Sequence, residues 1–232
     1  MTSPKISIVL PVYNQADHIG QVLRDYSHSL DAFGFGYELL PVVNGPRRDD
    51  SLKICHALES ELSSIRTLCI DEGGWGRAVR HGLAEARGEV LCYTNSARTS
   101  PQDLCLCVVY AIAHPDVVIK ANRKIRDHIL RRFGSLLYNL QCRAQFDLPC
   151  WDVNGTPKVF SRKLDQLLHL TVNDDLIDLE FNVVCRRAGY PMLEIPILQT
   201  PRHGGRSTTS ARSAARMYWG AWSFHRGLER RA

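Results

Sequence analysis

The chain has 232 residues, of which 44% are apolar and 23% charged, and its formal net charge is +5. That length buries a substantial core, while no apolar run approaches the roughly 20 residues of a membrane-spanning helix. Eight cysteines without a CxxC pair exclude a disulfide framework or a thiolate metal cluster and read as reduced thiols of a cytoplasmic protein.

Ile6–Leu10 is hydrophobic and β-branched, the pattern of a parallel strand covered on both faces. Pro11 stops it, and Tyr13–Asp17 makes a polar turn with Asp17 as N-cap. Ile19, Val22, Leu23, Tyr26 and Leu30 recur at helical spacing. Glu38–Val43 is a second strand, ending at Asn44-Gly45-Pro46. Asp49 or Asp50 caps a helix whose inner residues are Leu52, Ile54, Cys55 and Leu58. Ile65–Ile70 is a third strand. Glycines at 73, 74 and 76 then open a helix with Ala78, Val79, Gly82, Leu83 and Ala86 on its apolar side, which Gly88 ends. Val90–Tyr93 is a short buried strand that empties into the polar loop Thr94–Ser100.

This order is β-α-β-α-β-α-β, which predicts a doubly wound, mostly parallel α/β sheet. Right-handed crossovers bring the loops at Pro11–Gln15, Asn44–Arg48, Gly73–Arg77 and Thr94–Thr99 to one edge. Loops at the carboxyl edge of such a sheet are where ligands bind.

Pro101–Ala113 is a helix, Val117–Lys120 a strand and Ile125–Cys142 an arginine-rich helix. A loop with a short strand follows over 152–160, then short helices at Lys163–Leu170 and Leu176–Ala188, and a strand at Met192–Leu198. Residues 202–232 hold seven arginines against one glutamate, so this tail carries +6 and the rest of the chain −1. Basic character confined to a tail suits local contact with an anion rather than a nucleic-acid-binding surface. Ala214, Tyr218, Ala221, Trp222 and Leu228 fall on one side of the tail helix. Tryptophan beside arginine suits a membrane surface, and a helix packed on the body of the protein fits the same stripe.

Seven segments together resemble family 2 glycosyltransferases of the GT-A fold, and most of all polyprenyl-phosphate sugar transferases like dolichol-phosphate mannose synthase. They are ISIVLPVYNQADHI, GGWGRAVRHGLAEARGEVL, IKANR, RRFGSLLYNL, DVNGTPKVF, IDLEFNVVCRRAGYPMLEIPI and PRHGGRST, in family order across residues 5–208. The resemblance implies a GT-A, Rossmann-like domain over 1–208 with a basic aromatic helix at 209–232. It implies an inverting transferase acting on a nucleotide-diphosphate sugar, with a lipid phosphate or a hydroxyl as acceptor; a lipid acceptor requires a peripheral approach to the membrane, for which the C-terminal helix is the candidate, or a membrane partner.

Carried over residue by residue, Pro11, Tyr13 and Gln15 surround the base and ribose, with the Tyr13 ring as a stacking face. Asn44 stands where the family reads the base with an aspartate. Gly76 and Arg77 close over the nucleotide. The family's Asp-x-Asp metal motif is replaced by Asn95-Ser96-Ala97, with no carboxylate from Tyr93 to Pro101. Mg²⁺ and Mn²⁺ prefer carboxylate oxygens, so a divalent ion is weakly supported. Arg98, Arg123, Arg202 and Arg206 are candidates to offset the diphosphate charge instead. Asp152 and Glu180 are the candidate catalytic carboxylates, and Asp178 reads as a surface residue. His203, in the Arg202–Arg206 loop, fits a lid or a linker. A non-catalytic relative that binds a nucleotide or a protein, and a nucleotidyltransferase, are the alternative readings.

Overall fold

The computed structural model describes residues 4–125, 129–198 and 211–229. Among them the chain forms β1 (Ile6–Val12), α1 (Ile19–Asp31), β2 (Tyr37–Asn44), α2 (Ser51–Glu61), β3 (Leu68–Ile70), α3 (Trp75–Glu85) and β4 (Val90–Tyr93). Then come α4 (Pro101–Ala113), β5 (Val118–Ile125), α5 (Ile129–Phe146), β6 (Lys158–Ser161), α6 (Ile177–Ala188), β7 (Met192–Leu198) and α7 (Ala211–Glu229). The expected Lys163–Leu170 helix is a 3₁₀ turn, Asp165–Leu168.

One seven-stranded sheet has the order β3-β2-β1-β4-β6-β5-β7. All pairings are parallel except those of β6, which runs antiparallel between β4 and β5. The central strand β1 shows why its sequence is continuously apolar. Ile6, Ile8, Leu10 and Val12 enter the core on the α1 and α4 face, and Val9 enters the core on the α3 face. A strand covered twice has no solvated side on which to place polar residues. Buried Ser7 resolves its exception by donating to Glu38 Oε1 at 2.6 Å.

Two expected caps differ. The N-cap of α1 is His18 rather than Asp17, which instead pairs with the His18 ring. The helix α3 ends at Glu85, before Gly88; a Cβ at Gly88 would lie 2.7 Å from the Ser7 backbone nitrogen, so glycine there permits close approach to β1. The helix α6 ends at a left-handed Gly189 cap, with φ of 69°. A third core joins α5, α6 and α7 through Tyr138, Cys142, Leu179, Val183 and Ala221. Among the described residues no helix is long and apolar enough to cross a membrane.

Candidate active site

The carboxyl ends of β1, β2, β3 and β4 open into a cleft of about 410 Å³. Its lining comes from all four expected loops: Pro11, Tyr13 and Gln15; Asn44 and Pro46; Gly73, Gly74 and Trp75; Asn95 and Ala97. Asn14, His18 and Asp175 complete it.

The loops are tied together by side chains accepting from backbone. Asn14 Oδ1 accepts from Arg48 N at 3.1 Å, Ser51 Oγ from Gln15 N at 2.7 Å, and Asp49 Oδ2 from Ala16 N at 2.8 Å. Burial works against the Asp49 charge, but hydrogen bonds from the Ser51 hydroxyl and the Ala16 and Ser51 backbone outweigh it and hold the carboxyl below its ordinary range. Asn44 joins two strand ends: its Nδ2 donates to Val12 O at 2.9 Å, and its Oδ1 accepts from Gly74 N at 3.1 Å. Its amide shapes the floor of the cleft, while Tyr13, 40% exposed, leaves a ring face open for stacking.

The glycine turn is held from behind. A Cβ on Gly76 would lie 2.5 Å from Val172 O and 2.7 Å from Asp174 O. Gly74 has φ of 147°, a conformation side chains rarely adopt. Arg77 N donates to Asn173 O at 3.0 Å, and the Arg77 side chain pairs with Glu72. Gly76 and Arg77 therefore pack against the 172–174 segment, and it is Gly73, Gly74 and Trp75 that face the cleft.

Glu180 fixes that segment. Its buried carboxylate accepts from Thr171 N at 2.9 Å, Thr171 Oγ1 at 2.6 Å and Val172 N at 2.9 Å. Asp152 is equally committed. Arg123 donates to it from Nε at 2.7 Å and Nη2 at 2.8 Å, and from its backbone N at 3.1 Å. Asp152 N donates to Glu194 Oε1 at 3.0 Å, and Lys120 Nζ to Asp152 O at 2.6 Å. Neither carboxylate is among the residues that line the cleft, and both are engaged in hydrogen bonds within the protein. Asp178 is not a surface residue: it is 6% exposed, accepts from Tyr93 OH at 2.9 Å and pairs with buried Lys158. Burial pulls the Lys158 ammonium down to about 8, against the opposing pull of Asp178.

Of the described residues lining the cleft, Asp175 carries the one carboxylate. It stands exposed on the rim, where partial desolvation, then the charges of Asp178 and Asp174, hold its carboxyl above the ordinary range, and Arg216 of α7 opposes them. Sequence reasoning missed Asp175, His18 and Trp75. The signal for Asp175 was its place just ahead of α6, at the same rim as the strand ends.

The fold implies a divalent ion at the β4 loop, and the residues there do not fit one. Asn95 Oδ1 accepts from Ala97 N at 2.9 Å, and Ser96 Oγ donates to Gln15 Oε1 at 2.5 Å. No three of His, Cys, Asp or Glu cluster as a metal site among the described residues. Of the arginines expected to replace it, Arg123 is held by Asp152 and Arg98 lies outside the cleft lining. Arg202, His203 and Arg206 fall outside the described residues.

Solved structures of glucosyl-3-phosphoglycerate synthase from Mycobacterium tuberculosis share this fold. The complex with Mn²⁺, UDP-glucose and phosphoglyceric acid superimposes with a TM-score of 0.75 at 17% identity, covering 97% of this chain and 80% of that one. The complex with Mg²⁺ and UDP gives 0.71 at 18% identity, covering 94% and 76%. An undecaprenyl-phosphate 4-deoxy-4-formamido-L-arabinose transferase of Klebsiella pneumoniae is 24% identical over 209 residues, 89% of this chain. The chain spans 63% of the length of that relative. The family model for glycosyl transferase family 2 matches residues 7–168, which include every strand and loop from β1 to the α3 turn and β4. Most of the chain, and nearly all of the cleft wall, thus belongs to glycosyl transferase family 2.

Proposed function

We propose that this chain transfers a sugar from a nucleoside-diphosphate sugar to an acceptor oxygen, with inversion at the anomeric carbon. The observation that carries the reading is the single cleft in which Tyr13, Asn44, the Gly73–Trp75 turn and Asn95 meet. The exposed Tyr13 ring receives the base. The acceptor oxygen attacks the anomeric carbon from the side opposite the diphosphate, the bond to the diphosphate breaks, and the nucleoside diphosphate leaves with the bonding electrons.

A polyprenyl phosphate is the acceptor class that the Klebsiella relative's name supports. A phosphate oxygen is already ionised and needs no base. A hydroxyl acceptor would pass its proton to Asp175, whose raised carboxyl suits a general base. The membrane holds such a lipid, and α5 with α7 supplies the approach. Leu136, Leu137 and Leu140 of α5 and Trp219 and Trp222 of α7 are exposed, and Arg226 stacks on Trp222 at 3.5 Å. Apolar side chains bordered by arginine favour an anionic lipid surface.

Purified protein incubated with UDP-, GDP- and ADP-sugars and undecaprenyl phosphate should release the nucleoside diphosphate and form a glycolipid. Parallel reactions with excess chelator bear on the missing carboxylates: activity is expected to persist. Neither transfer nor donor hydrolysis with any donor would leave a binding module as the better reading.

A further inference from the structure

We propose that His18, with Trp75 from the opposite face of the sheet, hydrogen-bonds the nucleoside half of the donor. The inference rests on the nucleotide-sugar reading of the cleft and names two of the groups that would recognise the ligand there.

His18 caps α1 and is 5% exposed. Its Nδ1 lies 2.6 Å from Asp17 Oδ1. A carboxylate only accepts, so Nδ1 carries the ring proton, and in the neutral ring Nε2 is left as a bare acceptor. That Nε2 is buried and has no partner. Trp75 opens α3, packs its ring on the core around Ala78 and Val79, and has a buried indole N–H that is also without a partner. Of the described residues lining the cleft, only these two carry a buried side-chain polar atom that lacks a hydrogen bond.

The two come from different sides. Ile19, Val22 and Leu23 of α1 belong to one core, and Ala78, Val79 and Leu83 of α3 to the other. Two residues that line the cleft, one from each side, thus carry a buried ring nitrogen without a partner, an acceptor on His18 when its ring is neutral and a donor on Trp75. Buried polar groups in folded proteins are normally paired, and an unpaired one in a cleft is a cost that a ligand can recover.

The chemistry selects the ligand. A bare imidazole nitrogen needs an O–H or N–H. An ionised diphosphate has neither, whereas a nucleoside offers ribose hydroxyls and base N–H groups. The indole N–H in turn needs an oxygen, which a base carbonyl, a ribose oxygen or a phosphate supplies. The Tyr13 ring face in the same cleft places the nucleoside here rather than the transferred sugar.

Calorimetric titration with UDP, GDP and ADP, and with UDP-glucose, tests this on the intact chain. The tightest nucleoside diphosphate should bind His18→Phe about tenfold or more weakly and Trp75→Phe several-fold more weakly. His18→Gln, which keeps an acceptor near the Nε2 position, should stay within about threefold of wild type. In native protein with ¹⁵N-labelled histidine, the His18 Nε2 resonance should move when the nucleotide is added, a readout independent of how any variant folds.

Wild-type affinity in His18→Phe together with an unmoved Nε2 resonance would overturn the inference and leave the nucleotide reading intact. A loss seen with UDP-glucose but not with UDP would overturn the nucleoside assignment and move the contact to the sugar. Failure of the wild-type protein to bind any of the four would overturn both.

Discussion

Arg123 grips Asp152 through two parallel hydrogen bonds, Nε to Oδ2 at 2.7 Å and Nη2 to Oδ1 at 2.8 Å. Both belong to segments that resemble glycosyltransferase motifs, and the pair ties the end of β5 to the loop before β6. Asp152 is 2% exposed. Removing the Arg123 side chain takes two charge-assisted hydrogen bonds from a buried carboxylate, and breaking such a buried pair costs about 3–5 kcal/mol. Arg123→Ala should therefore lower urea-unfolding stability by that order. Nucleotide affinity of the folded protein should change by no more than about threefold, since neither group lines the cleft. A variant of unchanged stability that fails to turn over would return Asp152 to a catalytic role.

Glu180 acts on the cleft through the backbone. Its carboxylate holds Thr171 and Val172, and the carbonyls of Val172 and Asp174 occupy the space that a side chain at Gly76, at the start of α3, would need. Glu180→Gln replaces charge-assisted hydrogen bonds with neutral ones and should cost about 1–3 kcal/mol. Hydrogen exchange should quicken at 171–176, and nucleotide binding should weaken several-fold because the Gly73–Trp75 wall loses its support. Unchanged exchange in that segment would contradict the assignment.

The sheet was legible because strands covered on both faces must be apolar throughout, as Ile6–Leu10 is, and because β-α alternation leaves little choice of topology. The bounds of α4 and β7 follow directly from Ser100-Pro101 and from the turn at Gly189. The meeting of Tyr13, Asn44, Gly74 and Asn95 follows from strand-end geometry alone. The roles of individual polar residues do not follow in this way. Asp152, Asp178 and Glu180 look alike in sequence to a carboxylate facing a ligand. Their partners, Arg123, Lys158 and the Thr171 backbone, are 29, 20 and 9 residues away. His18 was hidden for the same reason: an orphaned ring nitrogen is a property of packing and leaves no pattern in the chain.

Asp175 lines the cleft, and its carboxyl is held above its ordinary range, first by desolvation and then by the charges of Asp178 and Asp174. At neutral pH it repels a diphosphate, by about threefold in affinity for charges roughly 6 Å apart in water-like screening. Asp175→Asn should bind UDP more tightly than wild type at pH 7. The two should converge as pH falls and the wild-type carboxyl takes up its proton. Comparing the variants at each pH cancels the titration of the nucleotide itself. If the acceptor is a hydroxyl, the same substitution should slow transfer about 100-fold or more.

Burial pushes the thiols of Cys55, Cys107, Cys142 and Cys185 up to about 12. In the unfolded chain they ionise near 9, so between about pH 9 and 12 the folded state binds more protons and stability is lost as pH rises. Each thiol contributes a slope of up to about 1.4 kcal/mol per pH unit. Lys158 acts in the opposite sense, because its depressed ammonium makes the folded state gain stability between about 8 and its ordinary value. One lysine against four thiols leaves a net loss. Urea unfolding at pH 7, 9 and 10.5 should show stability falling at the highest pH, and Cys55→Ala and Cys142→Ala should each flatten that decline. An unfolding free energy still rising at pH 10.5 would contradict the burial of these thiols.

The face shared by α5 and α7 separates two kinds of aromatic residue. Tyr138 and Tyr218 meet edge to face at 5.6 Å, Phe146 and Phe224 lie tilted with centroids 5.9 Å apart, and the Tyr218 hydroxyl donates to Gly134 O at 2.6 Å. These hold the helices together. Trp219, 67% exposed, and Trp222 lie outside that ladder and flank a groove of about 250 Å³ with Gln141 and Tyr218. Because they add little to the packing between the helices, Trp219→Ser with Trp222→Ser should leave the unfolding free energy within about 1 kcal/mol of wild type. Sedimentation with vesicles containing phosphatidylglycerol should nevertheless fall at least tenfold, since each buried indole contributes on the order of 2 kcal/mol at about 25 cal/mol per Å². Added salt should weaken the wild-type binding, through screening of Arg216 and Arg226. Vesicle binding that ignores both tryptophans and salt would detach this face from the membrane.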